Sequence, residues 1–242
     1  MLLNTFTEVK NWINEIVIKT HFSKFTYEKV PANDAIVFSL NDENVKQVFG
    51  LGISWSWKSK CFKIYGIMLW VRLNKFEDFY AKERQNYFPI DSQIIPHVYS
   101  IKNKFPNEIW PINTPIDLID EASKELVLIK VEEHIRTYGY IFTKYNTLYD
   151  VHAECNNFGN DLSLYNSYGE HFKHIYIKYF CEDKSYKRFA ELVVEKKNKS
   201  ISRYPIDSTD INMLGWKREV SAIEDLLQRI ERGELKHLVG TF

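Results

Sequence analysis

Cysteine is scarce in this chain, glycine and proline are sparse, and neither sign of charge prevails; each shortage removes a class of protein from consideration. Cys61, Cys155 and Cys181 stand far apart, so they supply neither a disulfide framework nor the paired spacing of a zinc ribbon. The expected setting is reducing and cytoplasmic. Nine glycines and seven prolines in 242 residues, with no low-complexity tract or repeat, exclude collagenous, solenoid and linker-rich architectures. Thirty-two basic residues cancel 32 acidic ones, leaving no overall field to draw in nucleic acid or anionic lipid. No apolar run approaches the ~20 residues of a membrane span. The first residues, interrupted by Glu8 and Lys10, lack a small-residue cleavage pattern and do not read as a signal peptide.

What remains is apolar and aromatic: 45% and 15% of the residues, enough to fill a substantial core. Thr5 and Glu8 form a capping box that starts a helix, and Phe6, Val9, Ile13, Ile16 and Val17 give it one apolar face. Strands are expected at Ala35 to Leu40, Val45 to Trp57 and Cys61 to Leu73, the last two forming a hairpin around Lys58 to Lys60. Alternation puts Leu51, Ile53, Trp55 and Trp57 on one face and Ser54, Ser56 and Lys58 on the other. Asn74 with Glu77 suggests a further cap, with Phe76, Phe79 and Tyr80 buried behind it.

Prolines 89, 96, 106, 111 and 115 forbid long regular structure and mark a boundary between residues 1–112 and 113–242, two parts for which a single shared core is the open alternative. Beyond it, Thr114 and Pro115 open a helix that ends at Gly139, with Asp117, Asp120 and Glu121 complementing its dipole. Ile116, Ile119, Ala122, Leu126 and Ile129 form one seam and Val127, Val131, Ile135 and Tyr138 another, which predicts a central helix. Thr147 with Asp150 starts a short helix, a helical hairpin turns around Glu182 to Ser185, and Trp216, Val220, Ile223, Leu227 and Ile230 lead to a stop at Gly233. The fold class is therefore α+β: an N-terminal helix and antiparallel meander, then a mainly helical C-terminal half.

Motifs with chemical meaning are few. His152-Ala153-Glu154 begins like the site of zinc-dependent nucleobase deaminases, but the downstream Pro-Cys-x-x-Cys is missing. His171 and His174 have a spacing that could hold a metal, with His152 or Glu170 added by folding, and His152, Glu154, His171 and His174 together define an alternative reading as a metal-dependent hydrolase. The bland reading places His152 on an inner helix face and leaves His171 and His174 solvated. Gly50-Leu51-Gly52 lies in a strand pattern without the Gly-Lys-Ser/Thr ending of a phosphate loop, so no cofactor is implied. The aromatic hairpin with Lys58, Lys60, Lys63 and Arg72 offers a second alternative, nucleic-acid binding, which the alternation of lysines against tryptophans opposes.

The order of N-terminal helix, a meander containing Phe49-Gly50-Leu51-Gly52-Ile53, a long helix ending at Gly139, then Tyr140-Ile141-Phe142 with Leu148 and Asp150, resembles uncharacterised bacterial α+β domain families. Some of these are found among toxin-immunity proteins. The resemblance covers about residues 45 to 155, and its motifs are structural, so it carries no functional residue across. It implies an accessory or binding protein. The leading expectation is a non-catalytic module, inhibitor- or immunity-like, that binds another protein through Tyr99, Phe105 and Trp110 of the proline-punctuated segment.

Overall fold

The computed structural model describes residues 5–29, 35–88, 101–103, 115–155, 162–163 and 170–242. The chain is α+β, as its sequence predicts. It divides into two units that interleave along the sequence: one takes in Met1–Arg72, Ile101–Asn146 and Gly159–Ser163, the other Leu73–Ser100, Thr147–Phe158 and Leu164–Phe242. This partition crosses the expected 112/113 boundary in both directions. Among the described residues, no helix is long and apolar enough to cross a membrane.

The first unit is built on a sheet. Helix α1 (Phe6–Ile13) opens with the predicted capping box, in which the Glu8 amide donates to Thr5 Oγ1 and the Thr5 amide to the Glu8 carboxylate. It runs through a π turn at Asn14–Ile18 into α2 (Lys19–His21), burying Val9, Ile13, Val17 and Ile18. Strands β1 (Thr26–Glu28), β2 (Ala35–Asn41), β3 (Val45–Ser56) and β4 (Cys61–Leu73) follow as a meander, with Ala35 opposite Gly52 and Asn41 opposite Lys46. Three short strands complete the sheet: β5 (Ile101–Asn103), β6 (Ile116–Asp117) and β7 (Leu162–Ser163). Among the described residues its order is β1-β2-β3-β4-β5-β7, with β6 on β4 as well. Ile53, Ile67, Leu69 and Val71 are sealed from solvent. Gly52 lies under the ring of Tyr65, where a Cβ would sit 2.5 Å from Cε2, so the tyrosine covers backbone that a larger residue would push away. Phe22, Phe25, Phe49 and Phe142 form a further cluster with centroids 5.0–5.7 Å apart.

The long helix of this unit is α4 (Glu121–Tyr138), and it starts later than the sequence suggests. Ile116 and Asp117 pair with Ile64 and Lys63 of β4, so the stretch expected as the first helical turn is strand. Asp120 caps the helix instead, accepting from the Ser123 amide at 2.8 Å. Val127, Val131, His134 and Tyr138 are buried, while Ile119, Leu126 and Ile129 are exposed, so α4 covers one side of a core and is not central. Helix α5 (Ile141–Lys144) follows, and Gln47 Nε2 donates to the Phe142 carbonyl.

The second unit is helical: α3 (Asn74–Tyr87), α6 (Leu148–Cys155), α7 (Glu170–Phe180), α8 (Tyr186–Ile201) and α9 (Ile211–Glu231). Here the central helix is α7, whose residues 172 to 178 are all buried. Thr147 and Asp150 bond reciprocally at the start of α6, as their spacing predicts. Asn74 does not cap α3; Leu73 occupies the cap position, and Glu77 turns inward. Helix α9 stops where Gly233 takes the left-handed conformation, φ 76°, and passes its amide to the Ile230 carbonyl. Phe242 packs against Phe76, Phe79 and Phe180.

Candidate functional site

Tyr99, Phe105 and Trp110 lie outside the described residues. The remaining candidates are the histidine set of the helical unit and the tip of the β3–β4 hairpin in the sheet unit.

Helix α7 is nearly as polar as it is apolar in composition, yet it is enclosed. Its cations reach carboxylates on the neighbouring elements. Lys173 Nζ donates to Glu77 Oε1 at 2.6 Å with both side chains wholly buried, and the ammonium also lies over the Tyr80 ring. Lys178 Nζ donates to Asp183 Oδ2 at 2.8 Å. Tyr176 donates its hydroxyl to Glu83, which also holds Arg229 at 2.6 Å. Burial pushes the Tyr176 phenol far up, and the Glu83 carboxylate pushes it the same way, so it stays protonated and donates.

The histidines fit into this lattice one at a time. His152 Nε2 lies 2.9 Å from Asp183 Oδ2; a carboxylate only accepts, so this nitrogen carries the proton. Burial pushes the Asp183 carboxyl up, but hydrogen bonds from Lys178, Ser185 and His152 outweigh it and hold the group well below the usual carboxylate range. His171 Nδ1 is 3.5 Å from Glu219, which Lys197 approaches at 2.5 Å. Burial raises the Glu219 carboxyl, and those two partners bring it below its ordinary value. His174 is buried against the Phe189 ring, 5.7 Å between centroids, and desolvation lowers its pKa to about 3. The expectation that His171 and His174 are solvated fails for His174, while His171 is partly exposed and paired with Glu219. Among the described residues, no group of three or more His, Cys, Asp and Glu side chains is placed to hold a metal ion. His152, Glu154, His171 and His174 thus do not come together as a ligand set.

The hairpin tip differs from expectation. Strand β3 ends at Ser56, so Trp57, Lys58, Ser59 and Lys60 form the turn and the alternation of faces stops before Trp57. Trp57 is 86% exposed, the Trp55 ring meets it edge to face at 6.3 Å, and Trp55 in turn meets Phe62 at 5.2 Å. Ser56, on the face opposite Trp55, is buried, and its hydroxyl bonds Asp117 Oδ2 and the Ser59 amide. Asp117 also accepts from the Ser59 hydroxyl. That carboxylate was expected to serve a helix dipole; it anchors a turn instead. Lys60 closes the turn in the left-handed region at φ 51°.

Comparison with protein-family models, curated proteins and solved structures gives no match. The geometry above is therefore the ground for any functional reading. Sequence reasoning missed the turn site, having placed Trp57 on a strand face and Asp117 in the first turn of a helix; the run Trp-Ser-Trp-Lys-Ser-Lys was the signal available for it. The burial of α7 had no such signal, since its partners Glu77, Glu83, Asp183 and Glu219 come from distant parts of the chain.

Proposed function

We propose that this chain is a non-catalytic module that acts by binding another protein, in the manner of an inhibitor or immunity factor. The observation that carries the reading is Trp57. A tryptophan costs free energy when left in water, and its large rigid surface is the kind on which protein interfaces concentrate their affinity. Here it is displayed on a turn whose base is fastened by Asp117, with Trp55 against it edge to face, which lowers the ordering cost of the turn on association. Tyr99, Phe105 and Trp110 are proposed as a second contact region of the same partner.

The test is affinity purification of the tagged chain from its native cells, with co-purifying proteins identified by mass spectrometry. A stoichiometric partner supports the reading. Loss of that partner on Tyr99→Ala with Trp110→Ala places the proline-punctuated segment in the interface, and unchanged recovery removes it.

A further inference from the structure

We infer that the Trp57 turn docks into an acidic partner protein, the indole filling an apolar pocket while Lys58 and Lys60 meet carboxylates at its rim. This rests on the protein-binding reading and names the surface and the partner's chemistry. Three features converge on it. The turn is fastened at its base: Ser56 and Ser59 bond the Asp117 carboxylate, and Lys60 sits in the left-handed conformation. The indole projects from that turn with most of its surface in water. Lys58 and Lys60 are exposed on either side of Ser59, and neither meets a carboxylate among the described residues.

The charge pattern selects the partner. Asp117 is committed to the two serine hydroxyls at the base of the turn, while the exposed Lys58 and Lys60 are cationic. Two lysines beside a large ring complement a surface with an apolar depression and an acidic rim, an arrangement that steers encounter and fixes register. Single-stranded nucleic acid fits less well. Strand binding stacks successive bases on ring faces along a basic groove. Here Trp55 meets Trp57 at 82° and Phe62 at 79°, so the three rings do not line up as parallel faces on which successive bases could stack.

The experiment replaces Trp57 with the photo-crosslinking residue p-benzoylphenylalanine, irradiates cells producing the full chain, and maps the adduct by mass spectrometry. The expected adduct is one protein segment rich in Asp and Glu. With that protein purified, Trp57→Ala weakens binding by about 30-fold or more, as for other buried aromatic anchors. Lys58→Glu with Lys60→Glu weakens it at least about tenfold at low salt, with a smaller effect at 1 M salt, where the Debye length is only about 3 Å. Lys58→Arg with Lys60→Arg retains binding. Circular dichroism and thermal melting of each variant check that the fold is kept, which the exposure of all three positions predicts. An adduct segment without acidic residues, or an unaltered affinity in the charge-reversed variant, overturns the inference. So does salt-sensitive binding of an oligothymidylate that depends on Trp57. A stoichiometric partner that neither crosslinks at position 57 nor responds to Trp57→Ala defeats this inference alone, whereas absence of any partner defeats the binding-module reading with it.

Discussion

Lys173 and Glu77 show what the individual residue contributes to this fold. A lysine and a glutamate wholly removed from water are costly unless they meet, and at 2.6 Å they do. Removing one partner strands the other. Glu77→Gln is expected to destabilise the protein by about 3–5 kcal/mol, whereas Glu77→Leu with Lys173→Met, which deletes both charges and keeps the volume, is expected to cost far less. Urea midpoints of the two variants check this; equal losses would show that the pair is not coupled as described. Neither residue was legible as a pair in the sequence. Glu77 reads as a helix-capping partner of Asn74, and the two members are separated by most of a domain's length. Thr5 with Glu8 and Thr147 with Asp150 were legible, because each interaction closes within one helical turn.

At the scale of elements, α7 is the clearest departure from hydrophobic patterning. Helix α4 carries two apolar seams and was expected to be central, yet one seam is exposed; α7 carries lysines and histidines and is enclosed. Periodicity reports how much apolar surface a helix has, not whether neighbouring carboxylates will neutralise its polar face. The arrangement makes the element sensitive to acid. Burial lowers the His174 pKa to about 3, from an ordinary value of 6.5, so as the pH falls from 6.5 the unfolded chain takes up a proton that the folded chain refuses. The lost stability accrues between pH 6.5 and about 3. His134 in α4, lowered by burial to about 4, acts in the same direction, and Asp183, held below its usual 3.8, adds a further loss as its own pH range is entered. His174→Gln is expected to flatten the decline of stability between pH 6.5 and 4, by no more than about 1.4 kcal/mol per pH unit. Denaturant midpoints across that range measure it, and an unchanged slope would show that His174 is not buried neutral.

Over the whole molecule, the meander, the α+β class and the helical hairpin were legible because each is set by local apolar spacing and turn chemistry. The interleaved division of the chain was not: α3 belongs with the late helices and α4 with the early strands, and only long-range packing decides that. The position of Trp57 was likewise hidden, since a one-residue difference in where β3 ends moves the ring from a sheet face to an open turn. The metal-hydrolase alternative makes a separate statement at this scale. Because His152, Glu154, His171 and His174 do not assemble into a ligand set, zinc added to chelator-treated protein is expected to leave its melting temperature unchanged. A stoichiometric, stabilising zinc ion would reinstate that alternative. The central claim, binding of a protein partner through the Trp57 turn, is tested most directly by quantitative affinity purification of the wild-type chain beside Trp57→Ala from the same native cells. The account predicts one stoichiometric partner with the wild type and at least about tenfold less of it with the variant, as expected of a hot-spot side chain; equal recovery, or no partner with either, would contradict it.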